Sequence, residues 1–307
     1  MTKFQNTLTR SYTFSGKGLH TGKFSTITIN PAAPDTGIRF LRTDLGPDAF
    51  VDALAENVSS TARSTTVSCG EASVMTIEHL LSAMTGLDID NALVEIDGPE
   101  VPILDGSAKP YITAIAPDGV AVQDVERKYI EIDREFSLTN DKGAKVFIQP
   151  AEDFSYDIKI DFNSHVIGVQ TAHWDDTVDY KTQIGVCRTF VFFHEIEFLL
   201  KNNLIKGGDV DNALVIVEYP VSDEQLRNIS ESICRPELRV AENGYLSNAE
   251  LRFENECSRH KLLDLIGDLR LCGGFLKAKI TAEKAGHTIN TAVAKEVRKY
   301  ILERSGK

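Results

Sequence analysis

The sequence predicts a mixed α+β fold built twice, and three observations predict it. Each half opens with short strand patterns, each half then shows an amphipathic helix pattern, and a polar, turn-prone stretch with Pro117-Asp118-Gly119 at residues 116–126 lies between them. One unit is therefore expected over residues 1–122 and a second over residues 127–307.

In the first half, Ser25, Ile27 and Ile29 share one face of a strand, and Ile38 and Phe40 share one face of the next. Pro, Gly and Asp clusters separate these runs, which predicts antiparallel sheet. Ile77, Leu80, Leu81 and Met84 then repeat at i, i+3, i+4, i+7, a helix for which Gly86 is a natural stop. Residues 91–96 return to strand. The second half starts with strands at 129–132 and 146–149 and ends with helices at 260–271 and 291–304. Leu262, Leu265, Ile266 and Leu269 form the buried stripe of the first of these, which leaves His260, Asp264 and Asp268 on a neighbouring face. Residues 77–81 and 88–94 are echoed at 196–200 and 209–215, yet His79-Leu80-Leu81 can also be set against His260-Lys261-Leu262-Leu263. The pairing of the copies stays open at this level.

Composition is that of an ordinary globular protein, with 42% hydrophobic and 25% charged residues over 307 positions. A formal charge of -12 argues against nucleic-acid or anionic-membrane binding as a general activity. The five cysteines, at 69, 187, 234, 257 and 272, show no paired spacing and read as reduced thiols. With no leader pattern and no apolar run of bilayer-spanning length, a cytoplasmic location is expected.

Three fragments carry chemistry. On a helix, His260, Asp264 and Asp268 fall one turn apart along a single stripe. Thr76-Ile77-Glu78-His79-Leu80 sets a carboxylate beside a histidine at the start of another helix, and Lys284-Ala285-Gly286-His287 supplies a loop histidine. Two neutral imidazoles and a carboxylate suit a catalytic zinc ion with an open position, and a further Glu can serve as base.

These motifs also carry a family resemblance. Gly16-Lys17-Gly18-Leu19-His20-Thr21-Gly22, Thr76 to Leu80, Ile103-Leu104-Asp105-Gly106-Ser107-Ala108, Cys187-Arg188-Thr189-Phe190, Arg259-His260-Lys261 and Gly286-His287 together resemble the zinc-dependent UDP-3-O-acyl-N-acetylglucosamine deacetylases of lipid A biosynthesis. The agreement is nearly end to end and in order. It implies two domains of similar topology, each a sheet with helices on one face, stacked as a β-α-α-β sandwich with an insert in each, here residues 55–69 and about 188–217. The active site is then expected between the halves. The second insert would form an acyl passage, for which Phe190, Phe198 and Leu204 are the expected lining.

Within that resemblance the roles follow from what amide hydrolysis needs. His79, His260 and Asp264 would hold one zinc ion, with iron able to substitute, and Glu78 would take a proton from water. Thr189 and Lys261 would stabilise the oxyanion, His287 would protonate the leaving nitrogen, and Asp268 would orient His287. Lys284 is the expected cation for a diphosphate or the oxyanion. His20 is assigned a turn role and Asp105 a turn aspartate, while His165, His173 and His194 have no ligand spacing.

An additional polar stretch between residues 219 and 246, helical at 222–233, together with the Cys187 motif, resembles a subgroup fused to a C-terminal hydroxyacyl-carrier-protein dehydratase. These 307 residues hold no such second domain, so the chain is expected to be the deacetylase part of a longer bifunctional protein or a free-standing form of it. A two-His, one-carboxylate set also suits non-haem iron oxygenases, the alternative enzyme class. Glu78 and His287 favour hydrolysis, and a non-enzymatic sandwich with chance histidines is the remaining alternative.

Overall fold

Alternating apolar and polar residues build the first sheet, with Ser25, Ile27 and Ile29 buried along one strand and Ile38 and Phe40 buried along another. The computed structural model describes residues 2–196, 206–208, 212–232, 238–246, 250–304 and 306. Its first half runs β1 (Phe4–Leu8), β2 (Tyr12–Lys17), β3 (Phe24–Pro31), β4 (Ile38–Arg42), β5 (Phe50–Asp52), β6 (Val58–Ser60), β7 (Thr66–Cys69), β8 (Ala72–Met75), α1 (Glu78–Gly86), β9 (Ala92–Ile96), α2 (Lys109–Ile115) and β10 (Val120–Glu126). The second runs β11 (Ile130–Glu131), β12 (Phe136–Thr139), β13 (Lys145–Pro150), β14 (Ser155–Asp161), β15 (Val169–Trp174), α3 (Tyr180–Gln183), β16 (Phe190–Phe192), β17 (Leu214–Ile216), α4 (Asp223–Ser232), α5 (Glu256–Arg270), β18 (Leu276–Glu283) and α6 (His287–Arg304).

The fold is α+β, and the same topology occurs twice. The first main sheet has the order β2-β3-β9-β4-β5 and the second the path β12-β13-β18-β14-β15, with β11 pairing β18 as well. In each, the last strand to arrive enters the middle: β9 lies antiparallel to β3 and parallel to β4, and β18 lies antiparallel to β13 and parallel to β14. The fold counterpart of α1–β9 is thus α5–β18. Of the two ways of matching the sequence echo, this is the one that sets His79 against His260. The competing copy leads into β17, which pairs only with β16 among the described strands. Both crossovers carry extra structure, the three-stranded sheet β6-β7-β8 in the first and β16, β17 and α4 in the second.

Helices α1 and α5 pack between the two main sheets. They approach so closely that a Cβ on Gly267 would lie 2.0 Å from the carbonyl oxygen of Glu78. This contact explains why α5 buries its polar stripe as well as its leucine stripe: His260, Asp264 and Asp268 face α1 and are at most 2% exposed. Among the described residues, no helix is long and apolar enough to cross a membrane.

Residues 116–126 include β10, which pairs antiparallel with β1 and so satisfies its backbone there. Two expectations need correction. Helix α5 starts at Glu256, one turn before His260. His287 is the first residue of α6 and not a loop histidine.

Candidate metal and catalytic site

His79 comes from the first turn of α1 and His260 and Asp264 from successive turns of α5, so the α1–α5 contact alone assembles the group. Their ligand atoms lie within 4.8 Å of one another, and all three residues are buried. Asp264 Oδ1 is 3.5 Å from His79 Nε2 and 3.4 Å from His260 Nε2. The two imidazoles stand edge to face, with ring centroids 5.0 Å apart.

The donor set fits a cation on two counts. His260 Nδ1 lies 3.0 Å from the Cys187 carbonyl oxygen, which can only accept, so Nδ1 carries the proton and Nε2 keeps its lone pair. Asp264 Oδ1 is buried without a hydrogen-bond partner, an arrangement costly for a carboxylate unless an ion completes it. Burial lowers the His260 pKa to about 4, which keeps the ring neutral. Burial would raise Asp264, but the His260 ring and the Lys261 ammonium outweigh it and hold the carboxyl well below its usual range. The Lys261 ammonium is in direct contact, its Nζ 2.7 Å from Oδ2.

Glu78 and His287 face one another beside this group, with Glu78 Oε1 3.9 Å from His287 Nε2. Burial raises the Glu78 pKa against the pull of His287 and His79. Burial opposes the charged form of His287, yet Asp268 and Glu78 more than offset it and hold its pKa up to about 9. His287 Nδ1 donates to Asp268 Oδ2 at 2.9 Å, and Asn290 Nδ2 donates to the same oxygen at 2.9 Å. Thr65 links Glu78 to Asp268, its backbone N donating to Glu78 Oε2 and its hydroxyl to Asp268 Oδ1.

A cavity of about 300 Å³ opens over the group, with Glu78, His79, His260, Lys261, Asp264, His287 and Thr189 at one end. Phe190, Val191, Ile196, Ala213, Val215 and Ile229 make an apolar wall, all from the second crossover. Phe198 and Leu204 lie outside the described residues. Lys284 does not line this cavity: its Nζ pairs with Asp161 Oδ2 at 2.9 Å, so the cation beside the histidines is Lys261. His20, assigned only a turn role, does line it, and so does Arg63.

A family model described as UDP-3-O-acyl N-acetylglycosamine deacetylase matches residues 5–238 and 235–299. The chain belongs to this deacetylase family. A bifunctional enzyme LpxC/FabZ of Porphyromonas gingivalis is 42% identical over 300 residues, covering 97% of this chain and 65% of that protein. The corresponding protein of Bacteroides thetaiotaomicron is 41% identical over 298 residues, again covering 97% and 65%. A UDP-3-O-acyl-N-acetylglucosamine deacetylase of Pseudomonas entomophila is 39% identical over 304 residues, covering 97% of this chain and 90% of that protein. The chain thus spans about two thirds of the length of the bifunctional relatives, at 65%, and 90% of the single-function deacetylase.

Within this deacetylase-family chain, sequence reasoning missed Thr65, Asn290 and the Cys187 carbonyl. Asn290 follows His287 by three residues on α6, a spacing that signals a shared face. Thr65 has no such local signal, since it meets Asp268 across a separation of 203 residues.

Proposed function

We propose that the chain is a zinc-dependent amide hydrolase that removes acetate from UDP-3-O-(3-hydroxyacyl)-N-acetylglucosamine, the committed step of lipid A biosynthesis. The observation that carries this reading is the unpartnered Asp264 Oδ1 between two imidazole nitrogens, with Glu78 and the His287–Asp268 pair at the same cavity end. We further propose that residues 1–122 and 127–307 act as two domains that contribute Glu78 and His79 from one side and His260, Asp264 and His287 from the other.

His79, His260 and Asp264 would hold the ion. When bound, zinc supplies Lewis acidity, which polarises a carbonyl and makes water more acidic. Glu78 takes the proton of the attacking water at its carboxylate, and burial strengthens it as a base. Lys261 and Thr189, which both line the cavity, stabilise negative charge on the former acetyl oxygen. His287 gives its Nε2 proton to the leaving amine while Asp268, bonded to Nδ1, fixes the ring. The apolar wall of Phe190, Val191, Ile196, Ala213, Val215 and Ile229 receives the acyl chain. Lys284 is assigned to the diphosphate.

The test joins metal content to acetate release. One ion per chain and acetate release from the UDP-linked acylated sugar are expected; elemental analysis distinguishes zinc from iron. His79→Ala, His260→Ala and Asp264→Ala should each lose ion and turnover together, whereas Glu78→Ala should lose turnover and keep the ion. Full metal occupancy in His260→Ala would overturn the ligand assignment.

A further inference from the structure

Glu256 opens α5 one turn before His260 and is fully buried, 0% exposed, yet the proposed chemistry gives it no role. Four donors meet its carboxylate. Oε1 accepts from the Arg188 backbone N and from Arg188 Nε, each at 3.0 Å. Oε2 accepts from Arg188 Nη2 at 3.1 Å and from the Arg252 backbone N at 2.6 Å. Arg188 Nη2 also donates to the Glu250 carbonyl at 2.6 Å.

What this clamp holds is the segment 187–189, and both neighbours of Arg188 touch the site. Cys187 presents its carbonyl to His260 Nδ1, and Thr189 lines the cavity. Thr189 is also pinned through its backbone, its N donating to Gly106 O and its O accepting from Leu214 N, each at 2.8 Å. Helix α5 therefore grips one segment at two points a turn apart, Glu256 on Arg188 and His260 on Cys187. The distance between these grips sets where the Cys187 carbonyl sits against the imidazole, and hence the tautomer and tilt of the ring.

A buried ion pair is weak evidence for stability, because desolvating both charges offsets most of their attraction. Fixing geometry is the role that burial and four directed donors favour, as hydrogen bonds behind a metal-bound histidine typically change metal affinity about 10–100-fold when removed. We propose that Glu256, acting through Arg188, is a positioning residue that orients His260 toward the ion and sets Thr189 beside it. This rests on the metal-dependent reading above.

The experiment measures metal affinity by chelator competition and the visible spectrum of the Co²⁺-loaded full chain, for the parent, Glu256→Gln and Arg188→Lys. The Gln variant keeps shape but turns an NH2 toward a donor; the Lys variant keeps charge but loses the fork. Expected are a roughly 10–100-fold weaker ion, a shifted cobalt spectrum and a fall in kcat with KM nearly unchanged. Should Glu256→Gln fail to fold, Arg188→Lys carries the same expectation. Parent-like affinity and spectrum in a folded variant, with only a lower unfolding midpoint, would overturn the positioning role alone. A parent chain that binds no ion would overturn the metal reading and this inference with it.

Discussion

His260, Asp264 and Asp268 sit on one helix at four-residue spacing, and that spacing is why they were legible in the sequence. The same residues lead to a pH profile with a defined sign. As the proposed base, Glu78 must be ionised to accept a proton, so the rate rises as pH increases through its raised pKa. As the proposed acid, His287 must be protonated to donate, so the rate falls as pH rises through about 9. The limbs belong to a coupled pair 3.9 Å apart, so each reports both groups. Asp268→Asn removes a charge that favours imidazolium, and the falling limb of kcat/KM should move to lower pH. An unmoved limb in that variant would mean Asp268 does not tune His287. Thr65 and the Cys187 carbonyl escaped notice because one acts across long sequence separation and the other through backbone, where residue identity carries no signal. Lys284 has a partner that local spacing does not reveal. It stands three residues from His287, but Asp161 on β14 captures its ammonium.

Among the elements, α5 shows what periodicity can and cannot reveal. Its leucine stripe marked a helix, but the first-turn residue Glu256 is satisfied by Arg188, a partner far away in sequence. Gly267 reads as a weak helix residue until α1 is in place. Replacing Gly by Ala in a helix interior ordinarily gains about 1 kcal/mol of propensity. Here the new Cβ would meet the backbone carbonyl of Glu78 at 2.0 Å, a contact no rotamer relieves, and overpacking costs about 1–3 kcal/mol. Gly267→Ala should thus destabilise the chain in urea titration and weaken metal binding by spreading His79 from His260. A variant as stable and as metal-replete as the parent would refute that packing argument. The second crossover supports a different test. Ile196→Ser should reduce kcat/KM for the acylated sugar more than for a version lacking the acyl group, because each methylene left unburied costs about 0.8 kcal/mol. Equal losses on both substrates would make this wall purely structural.

At the level of the whole molecule, the duplication explains where the site is. Strand patterns alone announced two sheets, but they could not say which helix answers which, because the equivalence lies in strand order, with β9 and β18 both entering the middle of their sheets. Once α1 and α5 are equivalent, their contact lies at the seam between the halves, and the proposed ion ties one half to the other through His79 on one side and His260 and Asp264 on the other. That has a thermodynamic consequence. A ligand that binds only the folded chain stabilises it by RT ln(1 + [L]/Kd), about 4 kcal/mol at a free concentration 1,000 times Kd. The five cysteines and seven histidines of the unfolded chain bind zinc too and reduce that increment. The two helices themselves bury Leu80, Leu81, Met84, Leu262, Leu263 and Ile266 completely, so the metal-free chain should remain folded. We therefore expect chelation to lower the unfolding midpoint without unfolding the protein at 25 °C, and expect metal to restore it. In His79→Ala and in His260→Ala the midpoint should no longer respond to metal, although the two substitutions lie in different halves. A midpoint that rises with zinc as much in either variant as in the parent would place the stabilising ion elsewhere and separate the site from the seam.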